Sequence, residues 1–308
     1  MVRRSERIAA EEVPGIGDNL VLIGGVAGMA LARVQPTEFA VLRRRPGPVP
    51  DGWSRTPVSL LRYADEQTVA GTAAVFQAMA AMGAHPEAFE GWGIVAASRY
   101  LGRASLAAAL RSFGVEGVWG TSPHLIPHFA LHSPSGTISL ALGLRGPNLG
   151  VGGGLHAASE GFLAALTWLS AGVVPGVWLV LSGWSPELIP GRPGVATAPA
   201  RADTGGDAEI ECQALALALR PAGPCESSRP FLSIRLRVDG SENHAPAPVD
   251  LVRLADELAG HSDRSPQVIA TDSSGRVHVD LMAEGQSDDP LARPREKGTG
   301  NRPSGFGG

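Results

Sequence analysis

The run Gly143-Leu144-Arg145-Gly146-Pro147-Asn148, followed by Gly150-Val151-Gly152-Gly153-Gly154 and an apolar stretch from Leu155, constrains this chain more than any other segment. Clustered glycines permit a tight turn through backbone conformations that other residues avoid. From Leu155 to Ala171, Leu155, Ala158, Phe162, Leu166 and Leu169 recur at spacings of three and four, the stripe of a helix with one buried face. Val177 to Leu181 is then a continuous apolar run, of the kind buried on both faces of a parallel sheet. Strand, glycine turn, helix and strand make a βαβ unit, so an α/β chain is expected.

The same run resembles the nucleophile region of the β-ketoacyl synthases, the condensing enzymes of the thiolase fold. In that family a G-L-R-G-P-N segment leads through a strand of small residues to a cysteine on a tight turn, where a buried helix begins. Aligned without gaps, this chain has Leu155 at the cysteine position, and a slip of one residue offers only Gly154 or His156. A thiolate at such a place draws on the helix N-terminus to lower its pKa and on turn N–H groups to hold an oxyanion. Leucine has no nucleophilic atom, so the resemblance implies the family's fold without its usual chemistry.

The resemblance runs from about Leu20 to Gly240. It implies a thiolase-like α/β fold with a complete N-terminal half and a truncated C-terminal half. The organisation expected is an N-terminal extension over 1–19, a ketosynthase-like domain over 20–240, a remnant of the second half over 241–284 and a disordered tail over 285–308. The family's second half supplies two catalytic histidines. A loop that faintly resembles the first of those positions is Ala270-Thr271-Asp272-Ser273-Ser274-Gly275, with Asp272 or a neighbour in place of histidine, and Gly260-His261 runs into Ser262-Asp263 rather than a glycine-rich histidine loop.

With 308 residues, 44% of them apolar, the chain can build a core; 26 basic against 30 acidic residues give a net charge of −4. That balance offers no electrostatic grip on nucleic acid or anionic lipid. No apolar segment reaches the ~18 residues of a membrane span. Cys212 and Cys225 lack CxxC or metal-site spacing, which suits a reducing compartment. A cytoplasmic protein without cofactor or metal is expected.

Along the chain, Leu20 to Ile23 followed by Gly24, Gly25 and Gly28 reads as a short buried strand entering a turn. Residues 38–57, with Arg43, Arg44 and Arg45 and Pro46, Pro48 and Pro50, read as a surface loop. Thr68, Thr72, Val75, Phe76, Met79 and Met82 predict a helix capped by Asp65 or Thr68. A strand over 92–97, a helix over 105–113, a proline-broken connection over 121–134 and a helix over 135–144 follow. Strands over 209–219 and 231–238 are expected to pair with each other, ahead of a helix over 249–258 and apolar strands over 267–270 and 277–282.

Rival constellations carry less. His124, His128 and His132 are spaced for one helix face, but Pro123, Pro127 and Pro134 oppose a regular helix through them. Gly24, Gly25 and Gly28 fit a dinucleotide loop only if Ile23 were glycine. Ser182-Gly183-Trp184-Ser185 follows a strand as a hydrolase nucleophile does, yet Glu187 occupies the last glycine position of G-x-S-x-G. His156, at the start of the strongest helix, is the candidate acid–base group.

The resemblance thus implies a catalytically impaired ketosynthase-like subunit, acting in fatty-acid, polyketide or aryl-polyene synthesis. Its partner would be a full-length ketosynthase in a heterodimer, or a second copy in a homodimer, with an acyl carrier protein supplying the chain. Gly146, Pro147, Asn148, Gly152, Gly153 and Gly154 would form the acyl-pocket or interface motif. The alternative is an acyltransferase or decarboxylase that works on acyl thioesters without a cysteine, through His156; a third reading is a remnant with no role of its own.

Overall fold

A computed structural model describes residues 21–48, 58–123, 125–188, 209–221, 233–238, 249–260, 267–271 and 277–282. Among them eight strands form one mixed sheet: β1 (Val21–Val34), β2 (Gly93–Ser98), β3 (Asn148–Gly152), β4 (Val177–Ser185), β5 (Glu211–Pro221), β6 (Ser233–Val238), β7 (Gln267–Thr271) and β8 (Val277–Met282). Their order across the sheet is β3-β2-β4-β5-β1-β6-β8-β7. β2 runs parallel to β3 and β4, while β5 is antiparallel to both β4 and β1. The helices are α1 (Phe39–Leu42), α2 (Glu66–Met82), α3 (Arg103–Glu116), α4 (Leu125–Phe129), α5 (Ser133–Leu142), α6 (Ala157–Ser170) and α7 (Leu251–Gly260). The expected α/β class and the βαβ unit β3–α6–β4 are both present.

Alternation along the central strands builds a core on each face of the sheet. In β5, Cys212, Ala214, Ala216 and Ala218 face one cluster, and Leu215, Leu217 and Leu219 face the other. The small face lets α2 lie close, and α2 is itself rich in alanine, glycine and threonine. Every residue from 67 to 76 is buried, because the sheet covers one side of α2 and α5 the other. The leucine face is covered by α6 and α7. β4 repeats the pattern, with Trp178 and Val180 towards α2 and Val177, Leu179 and Leu181 towards α6. Asp65 caps α2 by accepting from the Gln67 N–H at 2.8 Å.

Four expectations need correction. The chain does not turn at Gly24, Gly25 and Gly28; β1 continues through them for 14 residues, with a bulge between Val26 and Gly28. Gly24 and Gly28 make room for helices rather than for a turn: a Cβ on Gly24 would lie 2.6 Å from Leu166 Cδ2, and one on Gly28 would strike the Met82 side chain. β5 and β6 do not pair with each other, because β1 is long enough to take β5 along one edge and β6 along the start of the other. The expected loop over 38–57 contains the short helix α1, anchored by the buried Phe39, and its residues 49–57 lie outside the described residues. The connection over 121–134 likewise holds α4, with His128 in it, and Pro134 sits in the first turn of α5, where a missing N–H costs nothing. The extension over 1–19, the tail over 285–308, Cys225, His124, His261 and Asp272 lie outside the described residues.

A candidate functional site at the carboxyl ends of the parallel strands

β3 ends in two glycines with left-handed backbone, Gly152 at φ +85° and Gly153 at φ +100°, and these turn the chain towards α6. Other residues would be strained there. α6 begins at Ala157, two residues later than its apolar stripe predicts, so Leu155 and His156 form the turn that enters the helix. Gly161, in the next turn, lets α6 lie flat on β2, since a Cβ there would come within 2.6 Å of Ala97 Cβ.

A cleft of about 180 Å³ opens where the carboxyl ends of β2 and β4 meet the start of α6. This is where ligands enter open α/β sheets. Leu155, 44% exposed, stands on its wall with Ala157 and Ala158. Polar groups converge from other elements: Arg99 after β2, Ser182 and Ser185 on β4, Gln213 on β5 and Asp250 before α7. No cysteine or histidine is among these lining residues. His156 is half-buried and starts α6; its carbonyl accepts from the Glu160 N–H at 3.1 Å and from the Ser159 hydroxyl at 2.9 Å.

Behind the cleft lies a buried polar network. Gln67 Nε2 donates to the Arg99 carbonyl at 3.0 Å, which turns Gln67 Oε1 towards the Ser182 hydroxyl at 3.1 Å. Ser182 also meets Ser98 Oγ at 2.8 Å. With one proton to give, Ser182 donates to Gln67 and accepts from Ser98. Arg99 is held by Glu187 at 3.2 Å and by the Trp184 carbonyl at 2.7 Å, so its charge is neutralised at the cleft's edge. Burial raises the Glu187 pKa above its ordinary value, with Arg99 opposing the shift. Asp65, beneath this network, is pushed up to about 7 by burial and by its neighbour Glu66.

The glycine-rich motif is spread along one edge of the sheet. Asn148 pairs in register with Ile94 and Gly152 with Ser98, so the two ends of β3 stand about 13 Å apart, at roughly 3.3 Å per residue. Gly152, Gly153 and Gly154 are at the cleft end, whereas Gly146, Pro147 and Asn148 are at the opposite one. A Cβ on Gly146 would strike the Trp92 backbone, and the Pro147 carbonyl accepts from Ile94 N–H at 3.0 Å. Those three residues hold β3 against β2.

The rival constellations do not assemble. Gly24, Gly25 and Gly28 lie within β1 rather than in a phosphate-binding loop. Among the described residues no three His, Cys, Asp or Glu side chains come together as metal ligands, and no described helix is long and apolar enough to cross a membrane. Ser185 does reach the cleft, with no histidine beside it in the lining. Sequence reasoning missed Arg99, Gln213, Asp250 and Gln67, and met Ser182 only within the hydrolase-like stretch Ser182-Gly183-Trp184-Ser185. The signal was present in two cases, since Ser98-Arg99 and Ser182 each follow directly on an apolar strand.

No protein-family model matches the chain, and no curated protein does. Solved structures do. The chain is similar to the ishigamide ketosynthase/chain length factor, at 19% identity and a TM-score of 0.43, over 71% of this chain and 68% of that one. It is similar to a ketosynthase in complex with its chain length factor from Xenorhabdus doucetiae, at 15% identity and a TM-score of 0.48, over 83% of this chain and 98% of that one. A type II polyketide synthase acyl-carrier protein in complex with its ketosynthase gives 16% identity and a TM-score of 0.46, over 66% of this chain and 63% of that one.

Proposed function

We propose that this chain is a ketosynthase-like subunit that has lost condensing activity and acts as the partner, or chain-length-type, subunit of a full ketosynthase. One observation supports the reading: Leu155, which the resemblance aligns with the family's nucleophile, stands on the wall of the cleft at the entrance to α6, and among the described residues the lining around it offers no thiol or imidazole. In this reading the cleft takes the place of the condensing centre, and an aliphatic side chain takes the place of the attacking atom. In this reading residues 20–240 are the ketosynthase-like half and 241–284 a shortened second half. The glycine motif of β3 serves the partner contact, and fatty-acid, polyketide or aryl-polyene synthesis is the setting. A ketosynthase with its chain length factor, and a ketosynthase with its carrier protein, are the pairings found among the similar structures, and they define the partners to try.

The test is co-expression with a full-length ketosynthase, then size-exclusion chromatography with mass determination. A stable one-to-one complex is expected. A folded monomer or homodimer that ignores the ketosynthase overturns the proposal. Turnover of an acyl thioester by the purified chain alone, abolished by His156→Ala, would replace it with the cysteine-independent enzyme.

A further inference from the structure

β5 opens on two buried polar residues, Glu211 and Gln213, 7% and 8% exposed, before its leucines begin. Two apart on a strand, they share one face of the sheet, and Arg33 on β1 stands opposite Gln213 in register. The Arg33 Nε–H donates to both Glu211 carboxylate oxygens at 3.0 Å, and Gln213 Nε2 donates to Glu211 Oε1 at 2.7 Å. A carboxylate accepts and does not donate, so the Gln213 amide has one allowed orientation, with its nitrogen turned to Glu211. Gln213 also lines the cleft, and its opposite residue on β4 is Gly183, which has no side chain to cover it. Among the described residues, the buried polar atoms sealed off without a partner are Thr68 Oγ1, Trp178 Nε1 and Glu187 Oε1. Gln213 Oε1 is not one of them, and Glu211 is the one side chain to which Gln213 is bonded there, so that oxygen opens on the cleft. The amide thus offers the cleft an acceptor, Oε1, and a donor, the second Nε2 hydrogen.

Charge around the cleft is already matched. Glu211 is paired with Arg33 and Arg99 with Glu187, and Asp250 accepts from the N–H groups of Val252 and Arg253 at the start of α7. An ion drawn into the cleft would shed water without meeting an unpaired opposite charge. An uncharged group that sets one acceptor beside one donor suits Gln213 better. A carboxamide is such a group: it is planar, and its C=O and N–H can meet the N–H and C=O of another amide in two hydrogen bonds at once. Size sets the scale of the ligand. An apolar cavity of ~150 Å³ holds one benzene, so the cleft's 180 Å³ suits a ligand of about six heavy atoms. Leu155, Ala157 and Ala158 on the wall leave an apolar side for its hydrocarbon part.

We infer that the cleft binds a small uncharged molecule carrying a carboxamide, that Gln213 recognises the carboxamide, and that Glu211 and Arg33 fix Gln213 for that purpose. The inference rests on the cleft alone and does not need the partner-subunit reading. The test is a nuclear magnetic resonance titration of the isotope-labelled chain with butyramide and with four analogues of the same size: 2-pentanone, 1-pentanol, butyrate and pentylammonium. The Gln213 side-chain amide signal, assigned through its loss in Gln213→Leu, reports contact, and the backbone amides of Ala157 and Ser185 report affinity in every variant. Butyramide is expected to move the Gln213 signal and to bind at least about tenfold more tightly than any analogue. Gln213→Leu should make butyramide and 2-pentanone equal. Glu211→Gln can donate as well as accept, so it frees the Gln213 amide to turn over and should shrink the preference while keeping the fold, checked by circular dichroism. An analogue that binds as tightly as butyramide would overturn the carboxamide assignment. A preference that survives Gln213→Leu would overturn the role of Gln213, and no shift with any probe would overturn the site. Butyramide binding in a chain that ignores the ketosynthase would uphold this inference and overturn only the partner reading.

Discussion

β5 and α3 are both rich in alanine and leucine, and the two elements end in opposite surroundings. In β5 every residue from 211 to 219 is buried; in α3 no described residue is. β5 has a strand on each edge and helices over each face, whereas α3, among the described residues, rests mainly on its own continuation and on α4. Apolar composition therefore sets how much a segment gains by burial, and the neighbours that reach it set whether the gain is realised.

The sharpest way to break this contrast is to truncate one large ring in each region. Phe162, wholly buried in α6, is expected to cost about 3–5 kcal/mol as Phe162→Ala, whereas Phe113→Ala in α3 should stay within about 0.5 kcal/mol. Urea unfolding of the two variants measures both. Equal costs would mean that α3 is packed in solution and that the contrast is false.

Asp65 tests the buried layer through pH. Its folded-state pKa of about 7 lies above the ordinary 3.8, so the folded chain holds a proton that the unfolded chain releases. The stability this group contributes is fully present below roughly pH 4, is lost as pH rises towards 7, and is constant above that. The gap corresponds to at most about 4 kcal/mol. Asp65→Asn keeps an oxygen that can accept from the Gln67 N–H and removes the titration, so its advantage over wild type should grow between pH 4 and 7. An advantage that does not change with pH would show that Asp65 ionises normally.

A smaller effect is expected behind the cleft. Ser182→Ala strips Gln67 Oε1 and Ser98 Oγ of a shared partner in a buried place, which costs about 1–3 kcal/mol. A loss below a few tenths would mean that water reaches the network. Least demanding is a labelling test of the site: a thiol introduced as Leu155→Cys, on the cleft wall, should react with iodoacetamide in the folded protein, while the wholly buried Cys212, its thiol pKa raised well above normal by desolvation, should not. Protection of the new thiol would place Leu155 out of reach of any substrate.

Much of the fold was legible because periodicity records burial. The stripe from Thr68 to Met82, the apolar run of β4 and the alternation of β5 each name an element and its faces. The motif around Gly152 and Gly153 correctly placed a turn before α6, and those positions do need left-handed backbone. Gly24, Gly25 and Gly28 misled for a physical reason: glycine serves equally for a turn and for a strand on which helix side chains press, and only the helices show which. The β5–β6 pairing failed because strand neighbours depend on the reach of β1, which alternation does not report. The polar half of the cleft was hidden because Arg99, Ser182, Gln213 and Asp250 are scattered through the chain with no common spacing.

By itself, then, the order of residues determined the elements, the two apolar faces of the central strands and the glycine turn that leads through Leu155 into α6, because each rests on interactions between residues near in sequence. Tertiary structure alone decided that β1 lies between β5 and β6, that Gln67 reaches Ser182 across the core, and that no described residue of α3 is buried, because these depend on which surfaces meet.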